Sequence, residues 1–238
     1  ILSSFHGKKL VQFYSDKFNV PEEVCSQYIK QKLARNYSVK SLEYIPIMRK
    51  YCFILSSLQY VIFLILVLVL SKKIGSHKKK FTLLIDDIQS SNEFNRWQSL
   101  ENKFTEKETV YITRFSSKDK STKNNIFNHR NLRDYDRTSI LNIGIKDLFR
   151  DIIFLSKLSL RLKMNFFHIH IHFVNDFLYY GTLFRECIAE YMIQDRNLGR
   201  TNALKNYLFK LSGGAISSCI QKNIVQHNGN ALFYDVDI

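Results

Sequence analysis

The stretch Phe81-Thr82-Leu83-Leu84-Ile85-Asp86-Asp87-Ile88 decides the reading of the fold. It is a short apolar run that reaches two acids, and it follows three lysines, Lys78 to Lys80. A run of this length without polar alternation reads as a strand buried on both faces of a parallel sheet. Ser90 and Ser91 then offer N-caps, and Phe94, Trp97, Leu100 and Phe104 recur at three- to four-residue spacing, one face of a helix. Further along, 108–115 reads as a second strand, 116–137 as a charged loop, and 139–143 as a third strand. Residues 145–162 and 166–184 read as helices, 190–194 as a strand, 201–211 as a helix, 215–220 as a strand and 232–238 as the last strand. Strands alternating with helices predict the α/β class: a parallel sheet covered on both faces, with right-handed crossovers. Ligands of such sheets bind beyond the carboxyl ends of the strands, which singles out the loops 86–91, 195–202 and 221–230.

Composition narrows the class. The 238 residues are 45% hydrophobic, enough apolar surface to offset chain entropy, so a disordered chain is excluded. Two prolines exclude a Pro-rich linker, and four scattered cysteines (Cys25, Cys52, Cys187, Cys219) make neither a disulfide scaffold nor a CxxC metal or redox pair. They read as reduced thiols. The net charge of +14 reads either as solubility or as an anionic partner: a membrane surface, a phosphate-bearing substrate or nucleic acid. The sequence begins without Met and ends on the strand-like pattern Ala231 to Ile238, so the expectation is a piece of a longer protein.

Three stretches follow from charge and hydropathy. Residues 1–50 are basic and helical in pattern, with Pro21, Glu22 and Glu23 at a helix start and Val24, Tyr28 and Leu33 near helical spacing. Residues 51–71 form an apolar helix; from Tyr51 to Leu70 it carries no charge. Its length admits a membrane-spanning helix, an interfacial helix or a buried core helix. Arg49 and Lys50 precede it, and Lys72, Lys73 and Lys78 to Lys80 follow it. That flank favours a cytoplasmic face downstream and attracts anionic lipid headgroups. Residues 72–238 make up the α/β domain.

Each candidate site has a chemical reason. Paired carboxylates at Asp86 and Asp87 could act as a base or bind a metal, or cap the next helix. His168, His170 and His172 would share a face on a strand, but only His168 and His172 would on a helix; with no carboxylate or Cys nearby, a polar stripe on a packed helix is the expectation, and no metal site is assigned. In 195–202, Gly199 allows a tight turn, Thr201 or Asn202 can cap the following helix, and Arg196 and Arg200 suit a phosphate or carboxylate beside Asn197. A plain strand-to-helix turn with solvated arginines explains the same residues. In the next loop Gln221, Asn223, His227 and Asn228 offer neutral donors and acceptors of the kind sugars need. Lys222 could meet phosphate and His227 could act as a base; an ordinary polar surface loop is the alternative. Cys219, ending an apolar strand, is not expected to be a nucleophile.

Taken together, 193–208 (Ile-Gln-Asp-Arg-Asn-Leu-Gly-Arg-Thr-Asn-Ala-Leu-Lys-Asn-Tyr-Leu), 219–224 (Cys-Ile-Gln-Lys-Asn-Ile) and 233–238 (Phe-Tyr-Asp-Val-Asp-Ile) resemble the N-terminal half of bacterial surface-polysaccharide glycosyltransferase-like proteins of GT-B type. The layout of an apolar helix, a lysine cluster and the strand FTLLIDDI is similar too. The resemblance covers 72–238. It implies a Rossmann-like acceptor-side domain of a two-domain sugar transferase, with a nucleotide-sugar donor held mainly by a second domain. It also implies no cofactor in this chain itself, a glycan or lipid-linked acceptor, and a place at the cytoplasmic face of the inner membrane. His227 or Asp87 would be the catalytic base, and Arg196, Asn197, Gly199, Arg200, Thr201, Asn202, Gln221, Lys222 and Asn223 would line the substrate cleft. The alternative is a non-catalytic basic module for membranes or nucleic acid. The basic loop around Lys118, Lys120, Lys123 and Arg130 matches no nucleic-acid-binding motif, so nucleic acid is not the expected partner.

Overall fold

The computed structural model describes residues 5–37, 46–71, 79–88, 92, 94, 108–113, 126–128, 135–162, 165–194 and 202–219. The strands are β1 (Lys79–Ile88), β2 (Thr109–Thr113), β3 (Ile126–Asn128), β4 (Cys187–Gln194) and β5 (Ile216–Cys219). All pair in parallel, in the order β3-β2-β1-β4-β5. The helices are α1 (Phe5–Phe18), α2 (Glu22–Tyr37), α3 (Pro46–Leu70), α4 (Arg137–Ile140), α5 (Leu148–Leu162), α6 (Phe166–Glu186) and α7 (Asn202–Leu211). A π-helical stretch, Leu141–Ile145, follows α4. The expected α/β class with a parallel sheet is what the chain forms.

By its internal contacts the chain divides into Ile1–Ile74 with Leu132–Tyr179, and Gly75–Asn131 with Tyr180–Ile238. The linear division expected from composition (1–50, 51–71, 72–238) places 132–179 with the sheet, whereas these residues join the N-terminal helices. Their segment is inserted between β3 and β4, and local sequence carries no mark of which neighbours an inserted helix will find.

In the sheet unit, β1 is central, and its apolar run is enclosed: Leu84 and Ile88 are fully buried and Ile85 nearly so, while Lys79 and Lys80 at its start are exposed. The register of β1 on β2 shifts between Ile85 and Ile88. That irregularity brings Ile88 into one apolar cluster with Leu83, Ile85, Phe94 and Tyr111. Phe94 meets Tyr111 edge-on, with ring centroids 5.1 Å apart. Of the helix expected from Ser90, only Asn92 and Phe94 are described, and both are helical. The expected strand 232–238 lies outside the described residues.

Two local expectations are corrected. Residues 139–143 are helical, not a third strand. Asp136 is the reason: its carboxylate accepts from the Thr138 and Ser139 amides at 3.4 and 3.1 Å and from the Ser139 hydroxyl at 2.7 Å, which caps a helix start. The third strand is β3, inside the stretch expected to be loop; three residues are too few to show a period, and pairing with Tyr111, Ile112 and Thr113 defines it.

In the helical unit, α1 closes on Asn19 in the left-handed region (φ 51°), with the Val20 amide donating to the Ser15 carbonyl at 3.3 Å. This is a Schellman turn, and Pro21 next to it flanks the start of α2, its carbonyl accepting from the Cys25 amide at 3.1 Å. Helix α3 runs antiparallel to the segment 137–165. Asn165 Nδ2 donates to Ser56 Oγ at 2.7 Å, and Tyr60 Oη donates to Asp151 at 3.4 Å. Leu64 packs on Gly144, and Arg137 Nη2 donates to the Ser71 carbonyl at 3.0 Å. The positions 56, 60, 64, 67 and 71 form one helical stripe, and all are buried. Among the described residues no helix is long and apolar enough to cross a membrane.

Candidate functional site

The strand order reverses between β1 and β4, so the carboxyl ends of these two neighbours flank the switch point where ligands of parallel sheets bind. Asp86 ends the apolar run of β1 and lies in register with Gln194 at the end of β4. Neighbours in a parallel register share a face, and α7 supplies a partner for each. Lys205 Nζ donates to Asp86 Oδ2 at 2.6 Å, and Gln194 Nε2 donates to Asn206 Oδ1 at 2.7 Å. Asp86 is 1% exposed and Lys205 3%, while Gln194 and Asn206 are fully enclosed. The Lys205 ammonium also lies 5.7 Å from the centroid of the Tyr180 ring.

Helix α7 takes this place through its apolar face. Ala203, Leu204 and Phe209 are fully buried, and Phe209 meets Phe184 edge-on at 5.5 Å. The chain then turns through Gly213 (φ 102°), a conformation glycine adopts freely. Gly214 presents its bare backbone to the Phe209 ring, which leaves no room for a Cβ.

Chemically the group joins a cation, a carboxylate and two amides in a dry setting. Among the described residues, Gln194 Oε1 and Asn206 Nδ2 find no hydrogen-bond partner, which leaves one acceptor and one donor of the amide pair over. Lysine is a point-charge partner for phosphate, and a carboxylate can accept a proton or a hydroxyl hydrogen bond. A buried ion pair also stands as a purely structural element, and then contributes little beyond the cost of its own desolvation.

Of the residues singled out in the sequence, Asp87 lies in β1 beside Asp86, and Asn202 opens α7. Arg196, Asn197, Gly199, Arg200, Thr201, Gln221, Lys222, Asn223 and His227 lie outside the described residues. Lys205, Gln194 and Asn206 were not singled out. The available signal was a lysine between Leu204 and Leu208, on what the period makes the apolar face of a helix.

The histidines fall on α6, so the helical alternative holds. His168 and His172 lie with ring centroids 4.5 Å apart and planes tilted by 31°, and His170, a half-turn away, is buried in the helical core. Among the described residues, no group of three or more His, Cys, Asp or Glu side chains could hold a metal ion.

His170 belongs to a separate buried cluster in the helical unit. Lys17 Nζ donates to Asp151 Oδ2 at 2.6 Å, and Tyr60 approaches the same oxygen at 3.4 Å. His170 Nε2 stands 3.8 Å away, too far for a hydrogen bond. Burial lowers the pKa of His170; Asp151 opposes that shift and Lys17 adds to it, so the ring is held neutral. Burial also pushes the Cys25 and Cys187 thiols up to about 12, with Glu22 and Glu186 adding to the respective shifts, so neither is poised as a nucleophile.

No protein-family model, curated protein or solved structure matches the chain, so the site stands on its own geometry.

Proposed function

We propose that the sheet unit is a Rossmann-like, acceptor-side half of a GT-B-type sugar transferase, acting on a nucleotide-sugar and a glycan or lipid-linked acceptor. The observation that carries the reading is the Asp86–Lys205 pair at the carboxyl ends of β1 and β4, where the strand order reverses. In the transfer, the acceptor hydroxyl gives its proton to a base and its oxygen bonds to the anomeric carbon. The bond from that carbon to the phosphate oxygen breaks, and the nucleoside diphosphate leaves with the electron pair. The chain must therefore supply a base and cations near the departing phosphate. Asp87 or His227 fills the first role, and Arg196, Arg200 and Lys222 the second. Lys205, held by Asp86 at the carboxyl ends of β1 and β4, exchanges its carboxylate partner for a phosphate oxygen.

The test is a calorimetric titration of the whole chain with uridine diphosphate, guanosine diphosphate and pyrophosphate, the departing group that its cations are assigned to meet. The expected result is binding of at least one, weakened about ten-fold or more when Asp86→Asn and Lys205→Gln are combined, since a charge-assisted contact contributes about 1.5–3 kcal/mol. Absence of binding by the whole panel, or equal binding by the double variant, overturns the assignment. Binding to RNA or DNA that weakens with salt and with changes at Lys118, Lys120, Lys123 and Arg130 instead identifies the basic-module alternative.

A further inference from the structure

We infer that the helical unit is an in-plane membrane anchor, with the outer face of α3 seated in the headgroup region of an anionic leaflet. The inference is independent of sugar transfer. One stripe of α3 is spent on its own unit, and the opposite face is apolar yet exposed: Ile54 is 65% exposed, Leu58 52%, Ile62 46%, Ile65 52% and Val69 69%. These positions recur at the helical period, so they form one continuous strip rather than scattered side chains. A water-facing helix carries polar residues there, and a contiguous apolar strip marks a surface that is covered.

The covering chemistry follows from the neighbouring helix and the flanking sequence. Helix α5, packed beside α3, exposes Phe149 (78%) and Leu160 (60%) among the exposed cations Lys146, Arg150, Lys157 and Arg161. In sequence, Arg49 and Lys50 precede the apolar segment and Lys72 and Lys73 follow it. Aromatic and aliphatic side chains flanked by Lys and Arg match an interfacial element on anionic lipid. The buried stripe explains why the helix lies in the plane. Its polar links to Asp151, Asn165 and Arg137 tie it to a segment that also carries Asp147 and Arg150, and such charges do not enter a bilayer core.

The experiment uses the whole chain with large unilamellar vesicles of phosphatidylcholine alone or with 30 mol% phosphatidylglycerol. Co-sedimentation is expected with the anionic vesicles, about five-fold weaker for each of Lys157→Gln and Arg161→Gln. Ile62→Glu with Val69→Glu is expected to lower it about ten-fold or more, with an unchanged thermal circular-dichroism transition, because both positions are exposed. In Ile65→Trp, fluorescence is expected to be quenched more by bromine near the headgroups than by bromine at the bilayer centre. Lack of anionic preference, central quenching, or a light-scattering mass showing that the strip is covered by a second copy, with the glutamates yielding monomer, overturns the inference.

Discussion

Asp151 gathers Lys17 from α1, Tyr60 from α3 and His170 from α6 inside the helical unit. Its charge is compensated by the lysine, while the imidazole beside it stays neutral because it is enclosed, with Tyr14 and Phe13 also against its ring. A neutral buried histidine makes stability depend on pH with a definite sign. The unfolded chain takes up a proton near the ordinary value of 6.5, and the folded chain does so only at lower pH. Between those two values the unfolded state binds more protons, so stability falls as the pH falls, by up to about 1.4 kcal/mol per pH unit. Urea midpoints at pH 7.5 and 5.5 measure this. His170→Leu is expected to lower stability at neutral pH yet flatten the acid side of the profile. An unchanged acid slope in that variant contradicts the assignment. None of this is legible in the run His168 to His172, where three histidines look alike; burial of one and exposure of another follow from which side of α6 meets α1 and α3.

At the scale of elements, the turn between α1 and α2 shows how local chemistry sets a joint. Asn19 occupies the left-handed region, and the Val20 amide reaches back to the Ser15 carbonyl. Asparagine tolerates that conformation and alanine does not, so Asn19→Ala is expected to destabilise by about 1 kcal/mol, while Asn19→Gly is neutral or slightly stabilising. Chemical-denaturation midpoints of the two variants give the comparison, and equal losses for both would show that the side chain rather than the backbone matters. Elements with a clear period, such as 145–162 and 166–184, were legible within a few residues of α5 and α6. Residues 139–143 were not, because Ser-Ile-Leu-Asn-Ile has no period that separates strand from helix, and the deciding residue, Asp136, lies outside it. Helix α3 was legible as an apolar helix, but its sequence is apolar on every side, so nothing local told which stripe would be buried.

For the whole molecule, the Asp86–Lys205 pair joins β1 to α7 across 119 residues of chain. Removing one partner leaves the other charge enclosed, so Lys205→Met is expected to cost about 3–5 kcal/mol, whereas Asp86→Asn with Lys205→Met together cost much less. Denaturant unfolding of the single and double variants gives the coupling directly. Additive losses would show that the two side chains act separately. The carboxyl edge of the sheet as the place to look was readable from the alternation of strands and helices. The composition of the described part of that edge was not: Asp86 and Asp87 were readable only as a pair at the end of a strand, while the lysine, glutamine and second amide came into view only through register and helix packing.

Taken alone, the sequence determined the α/β class, the strands β1, β2, β4 and β5, the amphipathic helices and the excess of positive charge. Each of these is a property of a short window, where period, propensity and composition act locally. Tertiary structure decided the order β3-β2-β1-β4-β5, the joining of 132–179 to the N-terminal helices, and the meeting of Asp86 with Lys205. It also decided that α3 buries the stripe from Ser56 to Ser71 and leaves its other face outward. Those outcomes depend on which distant surfaces bury each other best, a competition among contacts far apart in the chain that no short window contains.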